Sequence, residues 1–407
     1  MPWPTLLMGL IHRLQLSLLA VCGVLFAAPV VAEALPEQQP IGTLEVVAKI
    51  RGAMPTGIAV SSTGRLFVNY PRWGDRVQFT VAEIVNGVPV AFPSQQMNAL
   101  ADRNNQTHRI VSAQSVVVDP SGRTLWIVDT GVLRPHPVSY GGAKLIAVDL
   151  QTNQVVRTIF IDQDVLASNT YLNDVRFAMR TGKAGYAFVT DSSSDGGIIV
   201  VDLDTGRSWR RLGKTRFTMS DPGFYPMVEA KLLMVRPAGQ PAERFNVGSD
   251  GLAVSADEQR LFFRPLTSRH LYSVAIAALI NRSVQEKQLQ ALVVDHGQIS
   301  GASDGLEADR QGRILLTDYE HNAIHRFSGS VSTLETLMSS SMALWPDSMA
   351  LADDGYLYFT ANQLHRQASF HEGRDMRVQP YMVFRIKTDS RPIRSAAVMH
   401  SSLGQTR

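Results

Sequence analysis

A single cysteine stands in 407 residues, and it is Cys22, inside the N-terminal apolar run. Once that run is removed, disulfides, thiolate metal sites and cysteine nucleophiles are excluded together. Long hydrophobic runs are equally scarce. Outside residues 14–31 nothing approaches the ~18 consecutive apolar residues of a bilayer span, so no membrane span is expected after processing. Charge of one sign is missing as well. Lys and Arg total 39 against 36 Asp and Glu, scattered without blocks, for a net charge of +3. No basic stripe exists to track a phosphate backbone, which excludes nucleic acid as an expected partner. Helical periodicity is nearly absent, apart from a short stretch around 283–289. What is present, 45% hydrophobic against 18% charged residues, suits a globular chain with a substantial core.

The first 32 residues read as a signal peptide. His12 and Arg13 precede the apolar run, and Val30-Val31-Ala32 offers the small residues of a cleavage site, so the cut is placed after Ala32. Pro29 and the shortness of the run speak against a membrane anchor. Leu19-Ala20-Val21-Cys22 is a poor lipoprotein box, since Val21 is bulky where a small residue is usual, and lipidation of Cys22 stays an alternative. Export without disulfides points to a periplasm or culture medium. The expected localisation is therefore secreted or periplasmic.

Six segments share one pattern of strand, polar turn and strand. They start at Pro55, Ala113, Leu172, Ser249, Ser303 and Pro346, roughly 45 to 75 residues apart. That spacing suits one four-stranded blade per repeat, so the chain is expected to be an all-β, six-bladed β-propeller of four-stranded blades over residues 33–390, with a disordered tail at 391–407. Residues 72–109 and 212–246 exceed what a blade needs and are read as loops or small hairpins over one face. The last blade shows only three obvious strands, while 42–50 has no strand of its own to pair with. Pairing 42–50 into the blade that holds 356–360 and 380–387 would close the ring and remove two open edges.

In a propeller the innermost strand lines the channel, and the second returns to the same rim. Strand starts carry Thr56, Gln114, Asn173, Asp174, Asp250, Asp304 and Asp347, and second-strand ends carry Asn69, Asp129, Asp191, Asp318 and Asn362. Such residues cap turns and strand ends. Capping alone does not explain why four carboxylates converge on one axis, where repulsion calls for a cation or a hydrogen-bonded ligand. Oxygen donors without thiolates favour a hard divalent cation, Ca²⁺ or Mg²⁺, with Zn²⁺ retained as a third candidate. Gly301-Ala302-Ser303-Asp304-Gly305 matches a nucleophile elbow, but a β-hairpin follows where a helix is required. His321, His325 and His365 fall near strand ends and show no metal spacing.

PTGIAVSSTGRLFVNYPRWGD, YLNDVRF, SDGLEADRQGRILLTDYEHNAIHR and WPDSMALADDGYLYFTANQLHR resemble the Yellow and major royal jelly protein family over about 42–387. The resemblance implies a secreted six-bladed propeller, a small amine bound in the channel and, in some members, pigment chemistry. Asn322 matches a family Asn-Ala-Ile stretch near the ligand pocket. The chain lacks the insect members' disulfide cysteines, so its ligand need not be theirs. A weaker resemblance to gluconolactonase and regucalcin propellers implies Asn173 as a substrate asparagine and Asp250 and Asp304 as metal ligands, with Asn173 beside them. Thr56 stands where those proteins place a metal-binding Glu, and Asp347 or Gln114 is left to complete the shell.

Three functions compete. The first is a propeller binding a small polar or aromatic ligand at the channel mouth through Thr56, Gln114, Asn173, Asp174, Asn322 and Asp347. The second is a metal-dependent lactone hydrolase with Asp304 or Asp250 activating water. The third is a protein-interaction scaffold. The sequence leaves open whether the chain is an enzyme and in what oligomeric state it works.

Overall fold

Short, nearly continuous apolar runs such as residues 125–128 and 198–201 produce strands buried on both faces, and four strands make one twisted sheet. The computed structural model describes residues 40–132, 138, 141–329 and 331–395. Six four-stranded antiparallel sheets form the ring. The first four blades run from Ile58–Val60 to Val88–Ala91, from Ala113–Val118 to Gln154–Phe160, from Leu172–Ala178 to Ser208–Arg211, and from Ser249–Val254 to Val294–Gln298. Blade 5 runs from Leu306–Ala308 to Thr333–Ser339. Blade 6 combines Pro346–Leu351, Tyr356–Ala361 and Tyr381–Lys387 with the N-terminal Leu44–Ile50. The six-bladed propeller is therefore as expected, and so is its closure: Leu44 pairs with Ile386 and Ile50 with Tyr381.

The core sits between blades. Leu145, Ile199 and Val201 fill the space between blades 2 and 3, and Ile198, Leu252 and Phe263 that between blades 3 and 4. Each fully buried side chain of this kind contributes about 1.5–3 kcal/mol. The cluster at the closure between blades 6 and 1 continues into Val228, Leu233, Phe245 and Phe370, which belong to two insertions over the rim.

Residues 72–109 need a correction. They hold Val81–Val85 and Val88–Ala91, the third and fourth strands of blade 1. Asn86 and Gly87 both take positive φ, +52° and +79°, as a tight two-residue hairpin requires. Pro89 is tolerated because its strand is the outermost. Residues 212–246 do form small hairpins, Met227–Val228 with Lys231–Leu232 and Met234–Val235 with Glu243–Arg244. Of the segment read as a tail, 391–395 are held by hydrogen bonds to blades 5 and 2, while 396–407 lie outside the described residues. The signal-peptide reading also falls outside them. Among the described residues no helix is long and apolar enough to cross a membrane.

Candidate functional site

The rim residues owe their direction to irregular strand starts. Register shifts interrupt the inner strands between Ala113 and Ser115, Leu172 and Val175, Ser249 and Leu252, and Pro346 and Met349. Bulges of this kind re-aim side chains, and these intervals hold Gln114, Asn173, Asp174, Asp250 and Asp347. The following glycine has a steric reason. A Cβ on Gly251 would lie 2.4 Å from the Asp304 carbonyl oxygen, and one on Gly305 would lie 2.5 Å from that of Asp347. Neighbouring inner strands can approach only where the side chain is absent.

Gln114, Asn173, Asp250, Asp304 and Asp347 line one cavity of about 490 Å³. Asn173 Nδ2 donates to Asp250 Oδ2 at 2.7 Å, and Trp345 Nε1 donates to Asp304 Oδ2 at 2.7 Å. A side-chain hydrogen bond joins Asp250 to Asp304. Asn362 and Ser348 donate to Asp347. Burial, with the charges of Asp304 and Asp347 next, raises Asp250 well above the usual carboxylate range. Asp347 is raised by burial and by Asp304. Asp304 is pushed up to about 6 by burial, against the opposing pull of the Trp345 and Asp250 hydrogen bonds. The chain of donors thus runs from Asn173 to a protonated Asp250, then to Asp304, with the indole completing the anion's shell.

The walls come from parts of the chain whose role was not legible in sequence. Trp73 donates to the Tyr171 hydroxyl, which donates to Gln114 Oε1 at 2.9 Å. Phe245, Leu266, Leu364 and Phe370 form an apolar wall. Trp345 is fully buried at φ +58° and stacks on Tyr319 with centroids 4.0 Å apart. The Trp-Pro-Asp-Ser stretch at 345–348 was visible as a motif, but only the Asp carried a chemical reason to be chosen.

The structure sets three candidates apart from the cavity. Thr56 is engaged with the Gln114 carbonyl at 3.1 Å and with Asn69. Asp174 turns down the channel to Ser115 and Arg176. Asn322 accepts from the Trp345 backbone N–H at 3.2 Å, so it acts on the site through Trp345. Four second-strand ends are caps: Asp129, Asp191, Asp318 and Asn362 each accept from the backbone N–H two residues on. Asp129 also holds the buried Lys144 ammonium at 2.7 Å. Ser303 is fully buried with its hydroxyl on the Gly305 carbonyl, which suits no nucleophile. His321 and His325 bond Asp318, and His365 bonds Glu229 in the insertion.

The Thr56 hydroxyl is engaged with the Gln114 carbonyl, and among the described residues no three His, Cys, Asp or Glu side chains are grouped as they would be to hold an ion.

A propeller with a roofed, acid-lined channel mouth is thus the class that fold and site define. The pattern of the family described as "Major royal jelly protein" matches residues 111–391. The chain belongs to the major royal jelly protein family. It is 25% identical over 250 residues to major royal jelly protein 7 of Apis mellifera, covering 54% of this chain and 52% of that protein. It is 27% identical over 245 residues to protein yellow of Drosophila pseudoobscura pseudoobscura, covering 56% and 41%. The chain spans about half or less of the length of these relatives. Among solved structures it is similar to a luciferin-regenerating enzyme (TM-score 0.52, 12% identity, 87% of this chain and 98% of that one). It is also similar to a gluconolactonase from Xanthomonas campestris (TM-score 0.50, 12% identity, 85% and 89%). At that identity the likeness concerns the fold alone.

Proposed function

We propose that this chain is a secreted or periplasmic propeller that binds a small cationic ligand with an aromatic or apolar body in the roofed cavity. One observation carries the reading: among the described residues, the lining holds Asp250, Asp304 and Asp347 but no Lys, Arg or His. Three buried acids without a counter-charge favour a ligand that brings one, and the hydrogen-bonded acid chain gives an ammonium group acceptors to replace its water. Trp73, Phe245 and Phe370 suit the body of an aromatic amine. No covalent step is required of these residues.

Calorimetric titration with phenethylamine, 2-phenylethanol and Ca²⁺ tests the reading. The amine is expected to bind at least about tenfold tighter than the alcohol of similar shape, as one charged hydrogen-bonded contact would give. Equal affinities, or binding of neither, would overturn it. Tight Ca²⁺ binding with metal-dependent lactone hydrolysis would instead support the hydrolase alternative.

A further inference from the structure

The roofed cavity occupies one end of the channel. The lower channel is lined from all six blades, by Val60, Val118, Phe177, Val254, Glu307 and Leu351, and its far end meets Pro392, Ile393 and Arg394. Pro392 forms an antiparallel bridge with Asp309 of blade 5. The Arg310 backbone N–H donates to the Arg391 carbonyl at 2.9 Å. Arg394 then pairs with Asp353 of blade 6 at 2.9 Å. Finally the Ser395 backbone N–H donates to the Pro120 carbonyl of blade 2, also at 2.9 Å.

Asp309, Asp353 and Pro120 all sit in turns that follow inner strands, at the end opposite the rim. Blades 5 and 2 face each other across a ring of six. A segment tied to both must pass over the axis, and five extended residues reach about 17 Å, enough to cross a channel mouth. Ile393 packs against the cluster of Leu306, Ala308 and Phe327, so the crossing is fixed by apolar contact as well as by its two ends.

We propose that residues 391–395 are a plug that makes the channel single-mouthed, so that solutes reach it only through the roofed face. A blind channel takes compact ligands and cannot thread a linear polymer.

Thiol labelling tests the plug without reference to any ligand, so its outcome is independent of the amine reading. In a Cys22→Ser background, Val118→Cys reports the lower channel and Ser192→Cys the roofed cavity. Both are labelled with neutral 2-hydroxyethyl methanethiosulfonate, in the full chain and in a chain ending at Ser390. The truncation is expected to speed labelling at position 118 by about tenfold or more while leaving position 192 unchanged, since a local barrier alone is removed. Where the truncated chain fails to fold, Arg394→Ala with Ser395→Pro unlatches the blade 6 and blade 2 contacts and is expected to act in the same direction. Equal rates at position 118 with and without the latch would overturn the proposal.

Discussion

Asn173 donates to Asp250 across 2.7 Å, although 77 residues separate them in sequence. The bond crosses from blade 3 to blade 4 at the channel axis. It leaves the other side of the Asp250 carboxyl for Asp304, and so organises the acid chain on which the site depends.

That chain predicts an unusual response to pH. Asp250, Asp304 and Asp347 are all raised in the fold. The folded protein keeps protons that the unfolded chain releases above about pH 4, so these groups make stability fall as pH rises through their folded values. For Asp304, pushed up to about 6, the cost at pH 7 is about 3 kcal/mol. His365 works oppositely, since burial pushes it down to about 4. The unfolded imidazole takes a proton below about pH 6.5, and stability is lost as pH falls from there. The wild-type profile therefore mixes both trends, and a variant separates them. Asp347→Asn should melt higher than wild type at pH 7.5 and lose that advantage at pH 4.5. A pH-independent difference in paired melts would refute the assignment.

Gly251→Ala and Gly305→Ala should each destabilise by about 1–3 kcal/mol, the usual cost of overpacking. The added methyl would press on the Asp304 or Asp347 carbonyl at 2.4 or 2.5 Å. Gly312→Ala offers a contrast: nothing lies within 4 Å of its Cβ, and any cost there comes from its φ of +82° alone. Denaturant midpoints for the three variants distinguish crowding between blades from backbone strain in a turn. Normal midpoints for the first two would mean that the inner strands do not approach as described.

The blades were legible because strand periodicity and turn chemistry repeat six times, and a repeated signal survives local exceptions. Blade 1 shows the limit. Pro89 and Gly87 looked like loop residues, yet an edge strand accepts the proline and a tight hairpin needs the glycine. The acids of the cavity were legible because Asp250, Asp304 and Asp347 hold one place in three repeats. Trp73, Phe245, Trp345 and Phe370 were not. They come from insertions and loop ends outside the repeat, where only tertiary packing decides that Trp73, Phe245 and Phe370 line the cavity while Trp345 is buried behind Asp304.

Ring closure yields a third prediction. Leu44–Ile50 contributes the outermost strand of blade 6 and pairs along its length with Tyr381–Lys387. A chain beginning at Pro55 exposes the Tyr381–Lys387 edge and removes Ala48 and Ile50 from the closure cluster. It should elute as aggregates in size-exclusion chromatography and lose cooperative unfolding. Monomeric behaviour with unchanged melting would show that the closing strand is dispensable.

The last prediction contrasts two buried aspartates that the repeat places on the same rim. Asp129 ends a second strand, accepts from the backbone N–H groups of Val111, Ser112 and Gly131, and holds the Lys144 ammonium. Its loss leaves a buried cation without its partner, so Asp129→Ala should cost about 3–5 kcal/mol. It does not line the cavity, so affinity for phenethylamine should be unchanged in whatever fraction remains folded. Asp304 starts an inner strand, and its carboxylate accepts from Trp345 among other acids. Asp304→Asn removes repulsion at pH 7 and should leave the melting temperature equal or higher. It also removes the charge that an ammonium group would meet, and should weaken phenethylamine binding by about tenfold or more. Measured side by side, melting and calorimetric affinity should move in opposite pairs: Asp129→Ala loses stability and keeps affinity, whereas Asp304→Asn keeps stability and loses affinity. If Asp304→Asn instead destabilises with affinity intact, Asp304 is a cap like Asp129, and the cationic-ligand reading of the cavity falls with it.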